Sequence, residues 1–221
     1  GEDSIRCLEN LSLYASYYKI KDYDAAYKSW KVVFDECPQA GGRTMYMHGA
    51  FLITNQMAKE TDPVKKKEWF NLLMESYNKR VQYTGNDTKY PEVWIRGRQA
   101  MDFIAYSGAS DNEQIAAVLD WLKAAVDAGE DKADADVLSA YFQMLEKRYQ
   151  TDKATYQNEF IAEYLRLTAY LDRRIALNDK YAPNYIAART NVNNLFVSSG
   201  AADCVTLENV FANKVEQSKD S

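Results

Sequence analysis

The first part of the chain, residues 7–38, has the pattern of two helices joined by a short turn. Apolar and aromatic residues recur every three or four positions on both sides of the Lys21-Asp22 pair, which is the spacing of one helix face. Asp22 suits the N-cap of the second helix because its carboxylate can accept a hydrogen bond from an unpaired N–H of the first turn. The segment therefore predicts an antiparallel helical hairpin.

The hairpin also matches much of the tetratricopeptide-repeat (TPR) signature, which is W-x2-L-G-x2-Y on a first helix, then A-x3-F and Pro on a second. The positions that fit it, with an aromatic residue in the Phe place, are Leu13, Tyr17, Ala26, Trp30 and Pro38. Asn10 and Tyr14 stand where the signature has Trp and Gly, so the close helix approach that a Gly permits is not predicted there. A TPR-like chain is usually a binding scaffold.

The remaining sequence continues the helical periodicity and shows no convincing strand alternation. Two predicted apolar stripes are Trp69, Leu73, Tyr77 and Val81, and Leu138, Tyr141, Phe142, Leu145 and Tyr149. Hairpins beginning near residues 7, 43, 92, 136 and 183 predict about ten helices in five pairs. The predicted fold is all-α, a TPR-like right-handed α-solenoid of irregular repeat length. It forms one domain over residues 1–221, with flexible ends at 1–5 and 216–221. A compact helical bundle is the alternative that the same apolar stripes permit.

Several helix ends are marked by their residue types. Asp62-Pro63 predicts a helix start, and Gly85 and Gly129 predict helix ends. Ser110-x-x-Glu113 has the form of a capping box. Residues 207–215 predict a final helix with an apolar stripe at Leu207, Val210, Phe211 and Val215. Asn209, Asn213 and Lys214 would lie on its outer side, but the helix does not look like a dedicated terminal cap. We therefore expect the natural chain to continue with another repeat on the Val205 side of this helix.

Four short segments resemble exported TPR-like proteins of Bacteroidetes, a largely uncharacterised family. They are the Cys-x2-Asn-Leu-Ser-Leu-Tyr run at 7–14, the Cys-Pro pair at 37–38, the Gly-Arg pair at 97–98 and the segment 200–204. The resemblance implies export through a signal peptide and further repeats beyond residue 221. It supplies no catalytic residues.

The chain has three cysteines, and two of them fall at equal distances from the turn of the first hairpin. Cys7 and Cys37 each lie about 15 residues from it, which places both roughly 22 Å along the helices. Both also fall on the stripes that face each other. The spacing predicts a Cys7–Cys37 disulfide; the alternative is two buried free thiols. Cys204 is expected to be a small buried residue, or to pair with a cysteine outside this sequence.

Composition argues against several kinds of function. The net charge of −5 and the pI of about 5.1 argue against a duplex nucleic-acid partner, which needs a basic surface. No apolar run approaches the roughly 20 residues of a membrane span. His48 is the only histidine, and with Cys204 it gives too few ligands for a zinc site. We therefore expect no enzymatic activity, no metal and no cofactor.

A binding groove is the better functional prediction. In TPR stacks the first helix of each pair lines the concave face. The residues predicted to line it are Leu11, Tyr18, Trp94, Arg98 and Met101. The alternative is that Trp94 and Met101 are core residues and that Arg98 pairs with an acid.

Two functions follow from this groove. The first is a protein-interaction scaffold that binds a protein or peptide, located in the periplasm or at the outer membrane. The second is a glycan-binding helical module for polysaccharide uptake. Abundant Tyr and Trp suit both, since these side chains combine an apolar ring with a polar group.

Overall fold

The computed structural model describes residues 2–203 together with Ala212 and Val215. This part of the chain is helical and contains no β-strand, which confirms the all-α prediction. The chain divides into two compact units, residues 1–99 and 100–221, and each is described by itself. The single domain over residues 1–221 stays a prediction, as do the right-handed solenoid and the TPR-like repeats.

Unit 1 contains four helices and the first half of a fifth. They are α1 (Glu2–Lys19), α2 (Tyr23–Glu36), α3 (Gly42–Lys59), α4 (Pro63–Thr84) and α5 (Glu92–Ser107). Helix α1 packs on α2, α2 on α3, and α3 on α4. Neighbours in the sequence are thus neighbours in space, as expected for short connections.

The helix starts in unit 1 follow from local sequence. The Asp22 side chain accepts a hydrogen bond from the Ala25 amide at 3.2 Å, and Asp62 accepts one from the Val64 amide at 2.9 Å. Pro63 occupies the first turn of α4, and Gly85 follows its last residue. These predicted boundaries are confirmed, because each depends only on residues within one helical turn.

The core of unit 1 is built around Trp30, which is fully buried. Its ring stacks on Phe34 with centroids 4.7 Å apart, and its Nε1–H donates to the Met45 carbonyl at 2.9 Å. A Cβ at Gly49 would lie 2.3–2.7 Å from atoms of the Trp30 ring. The close helix approach thus occurs between α2 and Gly49 of α3.

Two adjacent residues at signature positions of α1 differ in burial. Leu13, which fits the Leu position by residue type, is 45% exposed, whereas Tyr14 beside it is buried. Helix α1 therefore turns Tyr14 toward the core, and Leu13 falls one position off the buried face.

Cys7 and Cys37 form a disulfide, with their Cα atoms 6.3 Å apart, as predicted. Cys7 lies in the first half of α1 and Cys37 directly follows α2, so the bond joins the open ends of an antiparallel hairpin. Arg6 and Glu36, the preceding residues, form a paired contact there, with Nε 2.8 Å from Oε2 and Nη2 3.0 Å from Oε1.

Within residues 100–203, unit 2 contains the second half of α5, four further α-helices and a short 3₁₀ helix at Glu130–Lys132. The α-helices are α6 (Asn112–Gly129), α7 (Ala135–Thr151), α8 (Lys153–Ala176) and α9 (Ala182–Ser198). Helix α6 packs on α7, and α7, α8 and α9 pack on one another.

The core of unit 2 follows the predicted stripes. The stripe on α7 is buried at every predicted position: Leu138, Tyr141, Phe142, Leu145 and Tyr149. Phe160 of α8 stacks on Phe142 at 4.8 Å and on Tyr149 at 4.6 Å. Periodicity identified this core because the stripe is wide and uninterrupted.

The capping box before α6 was predicted one residue too early. Asp111, not Ser110, is the N-cap, and its side chain accepts from the Gln114 amide at 2.8 Å. The Gln114 side chain in turn accepts from the Ser110 amide at 3.1 Å. The sequence holds two overlapping boxes, and the charged carboxylate of Asp111 is the stronger acceptor at the positive end of a helix.

Three predictions concern residues outside the described part of the chain. These are the final helix at 207–215, of which Ala212 and Val215 alone are described, the role of Cys204 and the surface beside Val205. Among the described helices, none is both long and apolar enough to cross a bilayer.

Candidate functional site

The predicted groove residues lie in two places along the chain. Leu11 and Tyr18 lie on α1, and both are partly buried against the core of unit 1. Trp94 and Arg98 are half-buried on the first half of α5, and Trp94 also packs against that core. Met101 packs against the core of unit 2. Trp94 and Met101 are therefore partly buried residues at the edges of the two cores, which agrees in part with the alternative that they are core residues. Unit 1 contains Leu11, Tyr18, Trp94 and Arg98, while Met101 falls in unit 2.

Tyr18 is the centre of an aromatic cluster that joins three helices. Its ring stacks on His48 of α3 with centroids 3.8 Å apart, and it contacts Phe51 of α3 edge-on at 5.9 Å. Tyr23, the first residue of α2, lies 5.6 Å from Tyr18 and 4.8 Å from Phe51. We call Tyr14, Tyr18, Tyr23, His48 and Phe51 the Tyr18 cluster; in it, Tyr14 contacts His48 at 6.1 Å.

His48 contributes its ring to this cluster. Burial lowers the pKa of His48 below its usual value, so the imidazole is neutral at pH 7. Its Nδ1 atom is shielded from solvent, and no acceptor or donor among the described residues bonds to it. A neutral imidazole stacked on a tyrosine fixes the position of both rings.

Large apolar side chains are exposed beside the Tyr18 cluster. Phe51 is 42% exposed, and Met47, one turn earlier on α3, is 43% exposed. On α1, Leu8 is 65% exposed and lies one turn before Leu11, which lies two turns before Tyr18. We call Leu8, Leu11, Tyr18, Met47 and Phe51 the α1–α3 surface. Three of these residues, Leu8, Met47 and Phe51, are exposed, and exposed apolar residues that form one patch are typical of contact surfaces.

A second group combines arginines and aromatic rings. The Tyr90 and Trp94 rings lie 4.6 Å apart. The guanidinium carbons of Arg80 and Arg98 lie 5.5 Å and 5.8 Å from the centre of the Trp94 ring, and that of Arg43 lies 5.1 Å from Tyr90. We call these five residues the arginine–aromatic cluster. Cations at such distances are attracted to the negative face of a ring.

Asp87 supplies a carboxylate beside this cluster. It accepts from Arg43 Nη1 at 2.8 Å and from the backbone amides of Lys89 at 2.7 Å and Tyr90 at 3.1 Å. These backbone bonds, together with Arg43, hold the pKa of Asp87 below its ordinary value. Asp87 is therefore ionised at neutral pH and fixes the loop that carries Tyr90.

Sequence reasoning missed Arg80, although a signal was present. The stripe predicted on α4 was Trp69, Leu73, Tyr77 and Val81. Leu73 and Tyr77 are buried, but the next buried residue is Arg80 rather than Val81. Because a helix has 3.6 residues per turn, the position seven after Leu73 stays on the buried face. An arginine at this position of the helical repeat therefore indicates a buried charge, which is unusual.

No grouping of three or more potential metal ligands occurs within residues 2–203 or at Ala212 and Val215. No protein-family model, curated protein or solved structure matches the chain. The resemblance to exported TPR-like proteins thus stays a prediction based on the segments named above.

Proposed function

We propose that this protein is a non-enzymatic interaction scaffold of the cell envelope that binds a protein partner through the α1–α3 surface. The observation that carries the proposal is the exposed Phe51 ring. Tyr18 and Tyr23 hold it from two sides, so little side-chain entropy is lost when a partner covers it. Rigid, partly exposed aromatic residues of this kind often contribute most of the binding energy in protein interfaces.

The expected partner segment presents apolar side chains. Leu8, Met47 and Phe51 offer apolar area, and burying such area favours association. In the proposed TPR-like right-handed solenoid, α1 and α3 are the first helices of their hairpins and line the concave face. His48, the only histidine, packs on Tyr18, which favours a binding role over general-base catalysis.

The proposed location is the periplasm or the inner face of the outer membrane. The Cys7–Cys37 disulfide supports an oxidising compartment, because such bonds are rare in cytosolic proteins. The resemblance to exported Bacteroidetes proteins points the same way.

The test uses a photo-crosslinking amino acid at Met47 and, as a control, at Val64, which is 68% exposed on α4. In cells that export the protein to the envelope, the crosslinker at Met47 should yield one protein adduct that the crosslinker at Val64 does not. With that partner purified, Phe51→Glu should weaken binding at least about tenfold, because it places a charge in an apolar contact, while Val64→Glu should not. Equal adducts at both positions, or unchanged affinity of Phe51→Glu, would contradict the proposal.

A glycan-binding module is the second candidate. Phe51, flanked by Tyr18 and Tyr23, also forms an aromatic surface on which a sugar ring can stack. Calorimetry with envelope and plant oligosaccharides tests this candidate. Saccharide binding that Phe51→Ala abolishes, without a protein adduct at Met47, would replace the first proposal by the second.

A further inference from the structure

Arg80 carries a buried positive charge on a side chain with two open nitrogens. It is 5% exposed, and its Nε and Nη2 atoms are shielded from solvent with no hydrogen-bond acceptor among the residues that the structure describes. Burial, the largest cause, lowers the pKa of Arg80, and the nearby Arg43 charge acts in the same direction. Buried charges in proteins are normally paired, because desolvating an unpaired charge is costly.

The two open nitrogens form one edge of the guanidinium group, which binds carboxylates elsewhere in this chain. Arg6 uses its Nε and Nη2 on the two carboxylate oxygens of Glu36, at 2.8 and 3.0 Å. Arg166 uses the same two nitrogens on a single oxygen, Oε2 of Glu163, at 3.2 and 2.7 Å. Two parallel N–H donors match the two oxygens of a carboxylate in geometry as well as charge.

The carboxylate of Asp87, which acts on Arg80, already has hydrogen-bond donors. Asp87 acts electrostatically on Arg80, but its oxygens accept from Arg43 and from the amides of Lys89 and Tyr90. Arg43 and Arg80 together bring two positive charges, against which Asp87 sets one negative charge. An added anion would therefore be attracted to this place as well as hydrogen-bonded there.

We propose that the arginine–aromatic cluster binds a carboxylate, held by two parallel hydrogen bonds from Nε and Nη2 of Arg80 above the Trp94 ring. The carboxylate belongs to a peptide C-terminus or to a small organic acid, which share this chemistry. Because both nitrogens are shielded in the structure, binding includes a rearrangement of side chains around Trp94. The inference concerns unit 1 alone and does not depend on the α1–α3 surface.

The test is a titration of the full chain at low ionic strength. The probes are succinate, a short peptide with a free C-terminus, the same peptide amidated at its C-terminus, and inorganic phosphate. Calorimetry measures affinity, and tryptophan fluorescence reports the rearrangement. The chain has four tryptophans, so a Trp94→Phe variant identifies the part of the signal that comes from Trp94.

We expect succinate or the free peptide to bind, and the amidated peptide to bind at least about tenfold more weakly than the free one if the peptide is the ligand. If succinate binds and the free peptide does not, the ligand is a small organic acid. Arg80→Lys keeps the charge but loses the paired donors, and should weaken binding about tenfold or more. Arg6→Lys, at an exposed and paired arginine, is the matched control and should leave affinity unchanged. Arg80→Met adds a second variant if Arg80→Lys does not fold.

Three results would overturn the assignment. One is the absence of carboxylate binding up to about 20 mM, because a specific site should be more than half occupied at that concentration. Another is unchanged affinity in a folded Arg80 variant. The third is binding of phosphate without carboxylate. Each of these leaves the Phe51-dependent partner test unaffected, so the two proposals fail separately.

Discussion

Arginines lie against aromatic rings in both units, but Arg80 of unit 1 differs in its hydrogen bonding from Arg166 and Arg174 of unit 2. In unit 2, Arg166 lies 5.7 Å from the Tyr170 ring, and its nitrogens are 2.7 Å from Asp127 and 2.7 Å from Glu163. Arg174 lies 4.7 Å from the Tyr185 ring and 3.1 Å from Asp179. In unit 1, Arg80 has the ring contact with Trp94 and open nitrogens.

If the two proposals above hold, the difference separates arginines that stabilise the fold from an arginine that binds a ligand. A paired arginine stabilises its surroundings or is nearly neutral, whereas a buried unpaired one destabilises them. Sites that break a packing or pairing rule are often functional, because the cost is retained for another reason. Unit 1 contains both such features, the exposed Phe51 ring and the open Arg80 edge.

The largest expected effect tests whether the units are independent. Trp30→Ala in unit 1 and Phe142→Ala in unit 2 remove fully buried rings, and each should lower the free energy of unfolding by about 3–5 kcal/mol. Hydrogen exchange should show the loss of protection in the mutated unit only. Equal loss in both units would mean that residues 1–221 unfold as one domain.

The disulfide should stabilise unit 1 selectively. Its closed loop spans 30 residues, so replacing both Cys7 and Cys37 by Ser should cost about 3–4 kcal/mol by the chain-entropy relation. Urea unfolding measures the loss of free energy, and hydrogen exchange shows whether the loss is confined to unit 1. Cys204→Ser is the matched control. In intact-mass analysis without reductant, alkylation of all three cysteines would show that the bond is absent.

A pair of arginine substitutions addresses the comparison directly. Arg80→Met removes an unpaired buried charge and should leave stability unchanged or raise it by about 1 kcal/mol. Arg166→Met removes the hydrogen bonds that Glu163 and Asp127 accept from Arg166 and should lower stability by about 1–3 kcal/mol. Thermal unfolding of the two variants decides this. A greater loss for Arg80→Met than for Arg166→Met would show that Arg80 is a structural residue.

Of these tests, the effect of low pH on stability through Asp127 should be the smallest. Burial opposes ionisation of Asp127, but hydrogen bonds from Lys123 and Arg166 outweigh it and lower the pKa of Asp127 below 3.8. The folded state then holds its proton less tightly than the unfolded state. The contribution is present above pH 3.8 and is lost as the pH falls through the folded pKa.

For a partly exposed pair this contribution should be below about 1 kcal/mol. Urea unfolding at about pH 5 and about pH 3 should show a smaller acid loss in Asp127→Asn than in the unchanged protein. An equal loss in both would mean that the ion pairs of Asp127 do not stabilise unit 2.

The parts of the fold that sequence predicted correctly are local. The α7 stripe, the Asp22 and Asp62 caps and the end of α4 at Gly85 each depend on residues within a few positions of one another. The capping box before α6 was placed one residue off because Ser110 and Asp111 both satisfy the pattern. Local rules identify such a boundary without choosing between adjacent residues.

The candidate site was predicted only in part. Tyr18, Trp94 and Arg98 were named from their helix faces, whereas Phe51, Arg43 and Arg80 were not. Arg43 and Asp87 are 44 positions apart, and no local pattern relates them. Exposure of Phe51 and burial of Arg80 depend on which helix covers each face.

By itself, the sequence determined the helical class, most helix ends and the Cys7–Cys37 pairing, because periodicity and capping act within one or two helices. Tertiary structure decided that Gly49 lies against Trp30 and that His48 stacks on Tyr18. It also decided that Nε and Nη2 of Arg80 are buried with no acceptor among the residues that the structure describes. These contacts depend on how α1 to α5 approach one another in unit 1. That approach is set by the packing of many side chains together rather than by any single residue pattern.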